Sequence, residues 1–513
     1  MSLREPSTDM PPSRPHSRAS FSSVPHPAST TTLRPRSTAN ALRHAVKNMR
    51  HFAASPSDPH SKSMFLKECS LYTCFLLAGW VDATPGALLP AIRAQWHLSF
   101  VYVSMLFVGT FVGCIIAASF VSPLMDRVGF GKMISGAAAL GLVFPVVFLT
   151  MPPFPVLIVA MVFNGMSTST LDALVNVWIS QWPRTDVRLG FTHFLYGVGA
   201  LSSPLAAIPF LHEGREGIAF QYFFCVSLAL ATVVLTLVTV AFRLQRDEHV
   251  EGPGEEVAEM ELQTRVGEAE GKAKGEGVLD LMPTTSANLA LEAHPVPPPS
   301  GFHKLRAVVK QGKVILLALF TLMYVGTEVT VGGWSSSFLL EVRNENTSAN
   351  AIVSGFWGGI AFGRILLIPI TAFLGEELAV LVYLVLAIAL QLLVWLLPNI
   401  VANAVALALL GVCLGPAFPA MIRVCERTVR PRAHLTAAIS FISTFAAAGM
   451  AVLPFMVGVA SQKAPQGIRV LAPMLVAMLV VQVALWCATN REYFVRRVRR
   501  VEGAGEEDVD RLD

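Results

Sequence analysis

The chain has 513 residues, of which 53% are hydrophobic and 14% are charged, and its formal net charge is +4. The charged residues concentrate in the tails and connectors, which excludes an ordinary soluble enzyme and predicts a chain embedded in lipid. The net charge is too small to indicate nucleic-acid binding, and the seven cysteines show neither metal-ligand spacing nor a disulfide framework.

Residues 1–65 are rich in Ser, Thr, Pro, Arg and His, and this composition predicts a disordered basic tail. An Arg/Ser-rich, acid-poor start also occurs in mitochondrial transit peptides, but the many prolines interrupt an amphipathic helix. No cleavable signal peptide is apparent, so we expect the first spanning helix to act as the targeting signal.

Six apolar segments follow within residues 66–243, near 69–91, 100–122, 132–151, 154–178, 190–211 and 219–242. Residues 244–311 are rich in Glu, Gly and Pro and predict a disordered acidic linker. Six more apolar segments lie within residues 312–490, near 313–338, 350–374, 378–397, 399–422, 434–460 and 468–489, and residues 491–513 form a basic tail. Each segment is long enough to cross a hydrocarbon layer of about 30 Å. The sequence therefore predicts an all-α membrane protein of twelve transmembrane helices in two six-helix bundles.

The basic residues of the connectors gather on one side of this arrangement, at Arg184, Arg188, Arg423, Arg427, Arg430, Arg432 and Arg496–Arg500. The positive-inside tendency then predicts that both termini and the linker are cytoplasmic. The sequon at Asn346 falls on the outer side, close to the bilayer. The plasma membrane is the expected location, with a vacuolar or other internal membrane as the alternative.

The two halves repeat each other at a constant offset of 246 residues. This offset aligns Asp82, Thr84 and Gly86 with Glu328, Thr330 and Gly332. It also aligns five further positions without a gap: Gly109 with Gly355, Gly113 with Gly359, Pro123 with Pro369, Gly129 with Gly375, and Gly165 with Gly411. Two pseudo-symmetric bundles related along the membrane normal indicate a transporter that works by rocking its halves about a central site.

The connector after the second segment carries the most specific motif, Ser122-Pro-Leu-Met-Asp126-Arg127-Val-Gly129-Phe-Gly-Lys132. It resembles the major facilitator superfamily signature G-x-x-x-D-[RK]-x-G-[RK]-[RK] at Asp126, Arg127 and Gly129, but Ser122 replaces the first glycine and Phe130-Gly131 replace the usual basic pair. The resemblance implies the major facilitator fold, with these three residues and Arg364 as gating or structural groups. Three segments resemble more narrowly the fungal branch related to fucose permeases: Trp80-x-Asp82, His193 to Gly199, and Tyr324 to Trp334.

Ionisable residues inside membrane segments are costly and indicate a function. Asp82 precedes Pro85, whose ring removes a backbone hydrogen bond, and we expect a broken, polar patch that lines a cavity. The alternative is an acid satisfied by a neighbouring hydroxyl or backbone group. Glu328 precedes Gly332, Gly333 and Trp334, a stretch predicted to unwind so that backbone and carboxylate reach a ligand together.

The fourth segment carries a polar stripe in which Asn164, Thr168, Asp172 and Asn176 recur every four residues. Such a stripe must face protein or water. In the fold that the resemblance implies, helices 1, 4, 7 and 10 line the cavity, so that Asp82, Asp172 and Glu328 surround one space. The alternative for Asp172 is an interhelical hydrogen bond that only holds the bundle together.

For the remaining polar and aromatic residues, the sequence supports two interpretations each. His193 is a candidate proton relay, but a packed or interfacial histidine is favoured at its position. Four aromatic side chains are equally candidates for stacking on a sugar ring and for interface anchors: Trp80, Tyr196, Tyr324 and Trp334.

Burial in a low-dielectric cavity favours the neutral form of a carboxyl group, which indicates coupling to protons through Asp82 or Asp172. No lysine or arginine is expected at mid-depth, which disfavours anionic solutes and leaves neutral polyhydroxylated solutes or organic cations. The resemblance favours proton-coupled import of a neutral solute such as a sugar. The alternatives are a proton-driven exporter of drugs or secondary metabolites and a non-transporting nutrient sensor. The expected partners are the solute, H⁺ and the lipid bilayer; no cofactor, metal, nucleic acid or obligate protein partner is indicated, and no enzymatic motif is present.

Overall fold

The structure is a computed structural model that describes residues 59–182, 185–211, 219–244, 306–345, 348–430 and 434–497. Most of the predicted tails and linker, and the sequon residue Asn346, lie outside these described residues.

The N-terminal half consists of six helices. They are α1 (Pro59–Gln95), α2 (Phe100–Val128), α3a and α3b (Phe130–Leu140 and Val143–Leu149), α4 (Phe154–Ser180), α5 (Thr185–Leu211) and α6 (Phe223–Phe242). Their mean composition is strongly apolar, so each can bury its backbone polar groups within the helix while its side chains face lipid or protein.

The C-terminal half repeats this order. Its helices are α7 (Gly312–Arg343), α8a and α8b (Ala349–Leu366 and Ile368–Leu374), α9 (Glu376–Leu396), α10a and α10b (Ile400–Leu414 and Ala417–Thr428), α11 (Leu435–Lys463) and α12 (Leu471–Thr489). In the described part of the chain, eleven helices are long and apolar enough to span a membrane, and the pair α8a and α8b, bent by 55°, makes a twelfth. The predicted all-α architecture is confirmed.

The structure differs from four local expectations. Helix α1 begins at Pro59, inside the predicted tail, and it continues unbroken through Pro85 and Pro90. Residues 306–309, inside the predicted linker, are helical. Helix α7 does not unwind at Gly332 and Gly333. A proline removes one backbone bond, and a helix surrounded by other helices tolerates this loss.

The glycine pairs show that the two halves are structural repeats. A side-chain carbon built on Gly113 would lie 2.0 Å from the Val162 carbonyl oxygen, and one built on Gly359 would lie 2.1 Å from that of Ala408. Val162 and Ala408 are themselves 246 residues apart. Small residues at such positions allow helix backbones to approach closely, here α2 to α4 and α8a to α10a.

The connector glycines repeat as well. Gly129, between α2 and α3a, has φ 84°, and Gly375, between α8b and α9, has φ 81°. This left-handed region favours glycine, which has no Cβ atom to clash with the backbone. The same tight turn therefore occurs once in each half.

We call the end of the bundle where α1 begins the terminal face, and the end that carries the α1–α2 and α7–α8 connectors the distal face. The halves contact each other through α1 with α7, α2 with α11, and α5 with α8a. At the distal face the Phe100 backbone N–H donates to Gln462 Oε1 at 3.1 Å, and Arg93 forms an ion pair with Glu341. The distal ends of the two halves are therefore joined.

Candidate functional site

A cavity lies between the two halves, lined by α1, α2, α4, α7 and α11, with about 430 Å³ of empty space counting its open mouth. Three polar residues line it: Asp82, Thr110 and Asn164. The rest of the lining is apolar or weakly polar, formed by Val81, Pro85, Phe107, Phe111, Cys114, Met161, Val329, Ala447 and Met450. A largely apolar cavity with a few polar groups is typical of a small-molecule site.

Helix α10, which the family resemblance placed at the cavity, contributes no residue to this lining. Instead α2 and α11 supply most of the aromatic and methionine surface. These positions were missed because apolar residues in a membrane helix look alike in sequence whether they face lipid, protein or a cavity.

Asp82 is held by a neighbour from another helix. The Tyr196 hydroxyl on α5 donates a hydrogen bond to Asp82 Oδ2 at 2.9 Å. Asp82 also interacts electrostatically with Asp172 and Glu328, so the three predicted acids lie in one region of the bundle. Asp82 therefore lines the cavity and also has a hydroxyl partner.

The polar stripe of α4 is linked along its own helix. The Thr168 hydroxyl donates to the Asn164 carbonyl oxygen at 3.0 Å, and Asn176 Nδ2 donates to Asp172 Oδ1 at 3.2 Å. The Asp172 side chain is exposed, whereas Asn164 is only 2% exposed. The hydrogen bond that Asp172 makes is thus within α4, unlike the interhelical bond considered as the alternative.

Glu328 is buried in α7, where it interacts electrostatically with Arg364 and with Tyr324. Arg364 Nη1 donates to the His193 carbonyl oxygen at 2.9 Å, which links α8a to α5 across the two halves. Arg364 lies in the last turn of α8a, near a helix end, and is close enough to act electrostatically on Glu328.

The histidine and the aromatic residues mostly pack. The His193 ring contacts Phe75 edge to face, with ring centroids 5.3 Å apart, which agrees with the favoured packing role. Three of the four candidate aromatic residues are buried and donate within the protein: Trp80 Nε1 to Ser227 Oγ, Trp334 Nε1 to the Pro454 carbonyl and the Tyr324 hydroxyl to the Leu414 carbonyl. These three side chains are absent from the cavity lining, so their positions do not support substrate contact.

The gating motif is described only in part. Gly129 forms the turn already noted, and Arg127 is exposed at the terminal face. The side chain of Asp126 lies outside the described residues.

Comparisons with known proteins agree with the fold. The family model of the Major Facilitator Superfamily matches residues 71–494. The chain is 26% identical over 437 residues to Bypass of stop codon protein 6 of Saccharomyces cerevisiae, a match that covers 82% of each chain.

Two solved structures share the architecture at low identity. A bacterial homologue of the human lysosomal transporter Spinster, in an inward-facing and unoccupied conformation, has a TM-score of 0.63 and 14% identity, covering 85% of this chain and 98% of its own. A D-xylose–proton symporter has a TM-score of 0.59 and 13% identity, covering 82% and 97%. The chain belongs to the Major Facilitator Superfamily of membrane transporters.

Proposed function

We propose that this chain is a secondary active transporter that carries a small neutral or cationic organic solute by alternating access and couples it to protons through Asp82. The observation that carries the proposal is an acid in a cavity between two pseudo-symmetric halves. Asp82 lines that cavity, and only its Oδ2 atom has a protein partner among the described residues. A carboxyl group there is able to bind either a proton or a solute donor.

The contacts between the halves support a rocking mechanism. At the distal face α1 meets α7 and α2 meets α11, with Arg93 paired to Glu341 and Phe100 bonded to Gln462. Deeper in the bundle Gly86 packs on Gly332, and Asn350 Nδ2 donates to the Ala87 carbonyl oxygen at 3.3 Å. Separating the halves on the distal side would break these contacts together and expose the cavity to that side. The fold shared with an inward-facing Spinster homologue agrees with this closed distal face.

The sidedness and location belong to the same proposal. Arg423 and Arg427 lie at the terminal face, where they pair with Glu376. By the positive-inside tendency this face is cytoplasmic, and the plasma membrane is the proposed location. In the import direction Asp82 or Asp172 takes up a proton from the distal side and releases it with the solute on the terminal side.

Uptake by the purified protein in proteoliposomes under an inward proton gradient tests the proposal. L-Fucose, as the neutral polyhydroxylated solute favoured by the family resemblance, and small organic amines are the labelled probes. We expect gradient-driven accumulation that Asp82→Asn and Asp172→Asn abolish. The matched control is Glu492→Gln, an acid 68% exposed at the surface, which leaves uptake intact.

Accumulation that persists in Asp82→Asn would contradict proton coupling through this residue. Proton-driven efflux in place of uptake would assign the chain as an exporter. Retention of solute binding without any flux would favour a sensor over a transporter.

A further inference from the structure

The polar residues that line the cavity are unevenly distributed between the two halves. All three of its polar lining residues, Asp82, Thr110 and Asn164, come from the N-terminal half. The C-terminal half contributes Val329, Ala447 and Met450. The N-terminal half also contributes apolar residues, among them Phe107 and Phe111, so a solute in this space meets hydrogen-bonding groups from one half and apolar surface from both.

The repeat shows that this asymmetry is built into the sequence. At the offset of 246 residues, the polar stripe of α4 aligns with four apolar residues of α10: Asn164 with Leu410, Thr168 with Leu414, Asp172 with Phe418 and Asn176 with Ile422. Asp82 and Glu328 are acids at equivalent positions of the repeat, but only Asp82 lines the cavity. The C-terminal half therefore lacks the polar stripe that the N-terminal half carries.

Asn164 points to a ligand independently of this pattern. Its side chain lines the cavity and is only 2% exposed, yet its amide makes no hydrogen bond to any described residue. The Asn164 amide is not among the fully enclosed polar atoms that lack a partner, so its donor and acceptor groups face the cavity. A solute in the cavity would supply both the donor and the acceptor that this amide lacks.

The charge of the polar lining residues indicates which charge the solute carries. Asp82 and Asp172 interact with each other, and neither has a cationic partner within 4 Å among the described residues. Arg364 lies toward Glu328 and is bonded to the His193 carbonyl. When Asp82 is deprotonated, the polar side carries a negative charge with no paired cation among the described residues, and a cationic solute would neutralise it.

We infer that the transported solute is an amphipathic organic cation. Its charged, hydrogen-bond-donating end binds Asp82 and Asn164, and its apolar body packs against Phe107, Phe111 and Met450. This inference rests on the proposed transport function and names the substrate class of the same cavity. Aromatic and methionine side chains suit an apolar ring or chain, since methionine is adaptable in shape and aromatic faces also attract cations.

Binding to the purified full-length protein tests the inference without requiring transport. The probes are 2-phenylethylammonium, its uncharged counterpart 2-phenylethanol and L-fucose, measured by calorimetry and by the shift in melting temperature. We expect the amine to bind at least about tenfold more tightly than either neutral compound, because one charge-assisted hydrogen bond is worth roughly 1.5–3 kcal/mol.

Two variants probe the two sides of the cavity. Asn164→Leu introduces the residue found at the repeat position Leu410, and Met450→Ser makes the apolar side polar. Each should weaken amine binding by about tenfold. The control is Gln391→Leu, which changes another buried amide whose oxygen has no partner but which lies in α9, away from the cavity lining. It should leave amine binding unchanged.

Tighter binding of L-fucose than of the amine, or unchanged amine binding in Met450→Ser, would overturn the inference. Failure of all three probes to bind would overturn it as well. The experiments test the transport function and the substrate class separately. Proton-driven uptake of fucose with no amine binding rejects the substrate class alone. Amine binding that responds to both variants, without any proton-driven flux, supports the recognition site and rejects the transport proposal.

Discussion

Gly86 on α1 and Gly332 on α7 pack directly against each other: a side-chain carbon built on Gly86 would lie 2.1 Å from the Gly332 carbonyl oxygen. The two glycines are 246 residues apart and are therefore equivalent positions of the repeat. Equivalent residues can meet only close to the axis that relates the halves, so α1 and α7 cross at this axis. The absence of side chains lets the two backbones touch there.

Substitution of this glycine should prevent the distal face from closing. In Gly86→Val we expect transport to fall by about tenfold or more, since overpacking of this kind costs about 1–3 kcal/mol. A side-chain carbon on Gly136 in α3a would meet nothing within 4 Å, so Gly136→Val is the matched control and should transport normally.

The rate of cysteine labelling near the distal face measures whether that face closes. Ser104 is fully buried where α2 meets Gly458 of α11. Ser104→Cys, in a background without the native cysteines, should react slowly with a hydrophilic maleimide and faster when Gly86→Val is added. Equal labelling rates would show that the crossing does not control closure.

The repeat predicts which glycines are structural within one helix. A side-chain carbon on Gly359 would lie 2.1 Å from the Ala408 carbonyl oxygen, whereas one on Gly355 would make an ordinary contact of 3.7 Å with the Ala408 side chain. Gly359→Ala should lower the melting temperature of the detergent-solubilised protein, by an overpacking cost of about 1–3 kcal/mol. Gly355→Ala should not, and a similar loss in both variants would argue against the described packing of α8a on α10a.

Tyr196 is a positioning residue for Asp82. Tyr196→Phe removes one hydrogen bond to the carboxylate, so uptake should fall by about 10- to 100-fold at most, because such a bond is worth about 1.5–3 kcal/mol. The pH profile of uptake should change with it. Tyr383→Phe is the control, because the Tyr383 hydroxyl bonds to Thr371 at 3.0 Å and does not contact Asp82. An unchanged pH profile in Tyr196→Phe would separate this tyrosine from proton coupling.

Arg364 and Glu328 should be energetically coupled. Arg364→Gln loses the charged hydrogen bond to the His193 carbonyl and leaves Glu328 without its neighbouring cation. We expect it to destabilise the protein by about 1.5–3 kcal/mol. Glu328→Gln in the same chain should recover about 0.5 kcal/mol or more of that loss, as contacting charges do in double-mutant cycles. Strictly additive changes in the melting temperature would show that the two groups act separately.

Much of the fold was predictable because apolar runs of membrane length and a constant repeat offset are properties of the sequence itself. The same signal failed at the start of α1, where residues after Pro59 are polar although helical. It also could not show that Arg364 acts on Glu328, because this interaction depends on how α8a packs against α7.

The polar and charged residues of the candidate site were predictable, because such groups are energetically costly within a membrane segment. An acid or an amide within a membrane segment is conspicuous, so Asp82 and Asn164 were identified from sequence alone. Phe107, Phe111 and Met450 were not, because their identity as cavity residues depends on how helices rotate and pack. For the same reason the sequence left Trp334 equally a candidate ligand contact and an interface anchor, whereas it packs against α2 and α11, where its ring lies 5.8 Å from that of Phe100.

The central claim is that one cavity is reached alternately from the two faces of the membrane, and Cys114 offers a direct measurement because it lines this cavity. In a variant that keeps Cys114 as its only cysteine, reconstituted in one orientation, a membrane-impermeant maleimide is added to either side. We predict labelling from both faces, with Gly86→Val increasing labelling from the distal face at the expense of the terminal face. Labelling from a single face that Gly86→Val leaves unchanged would contradict alternating access through this cavity.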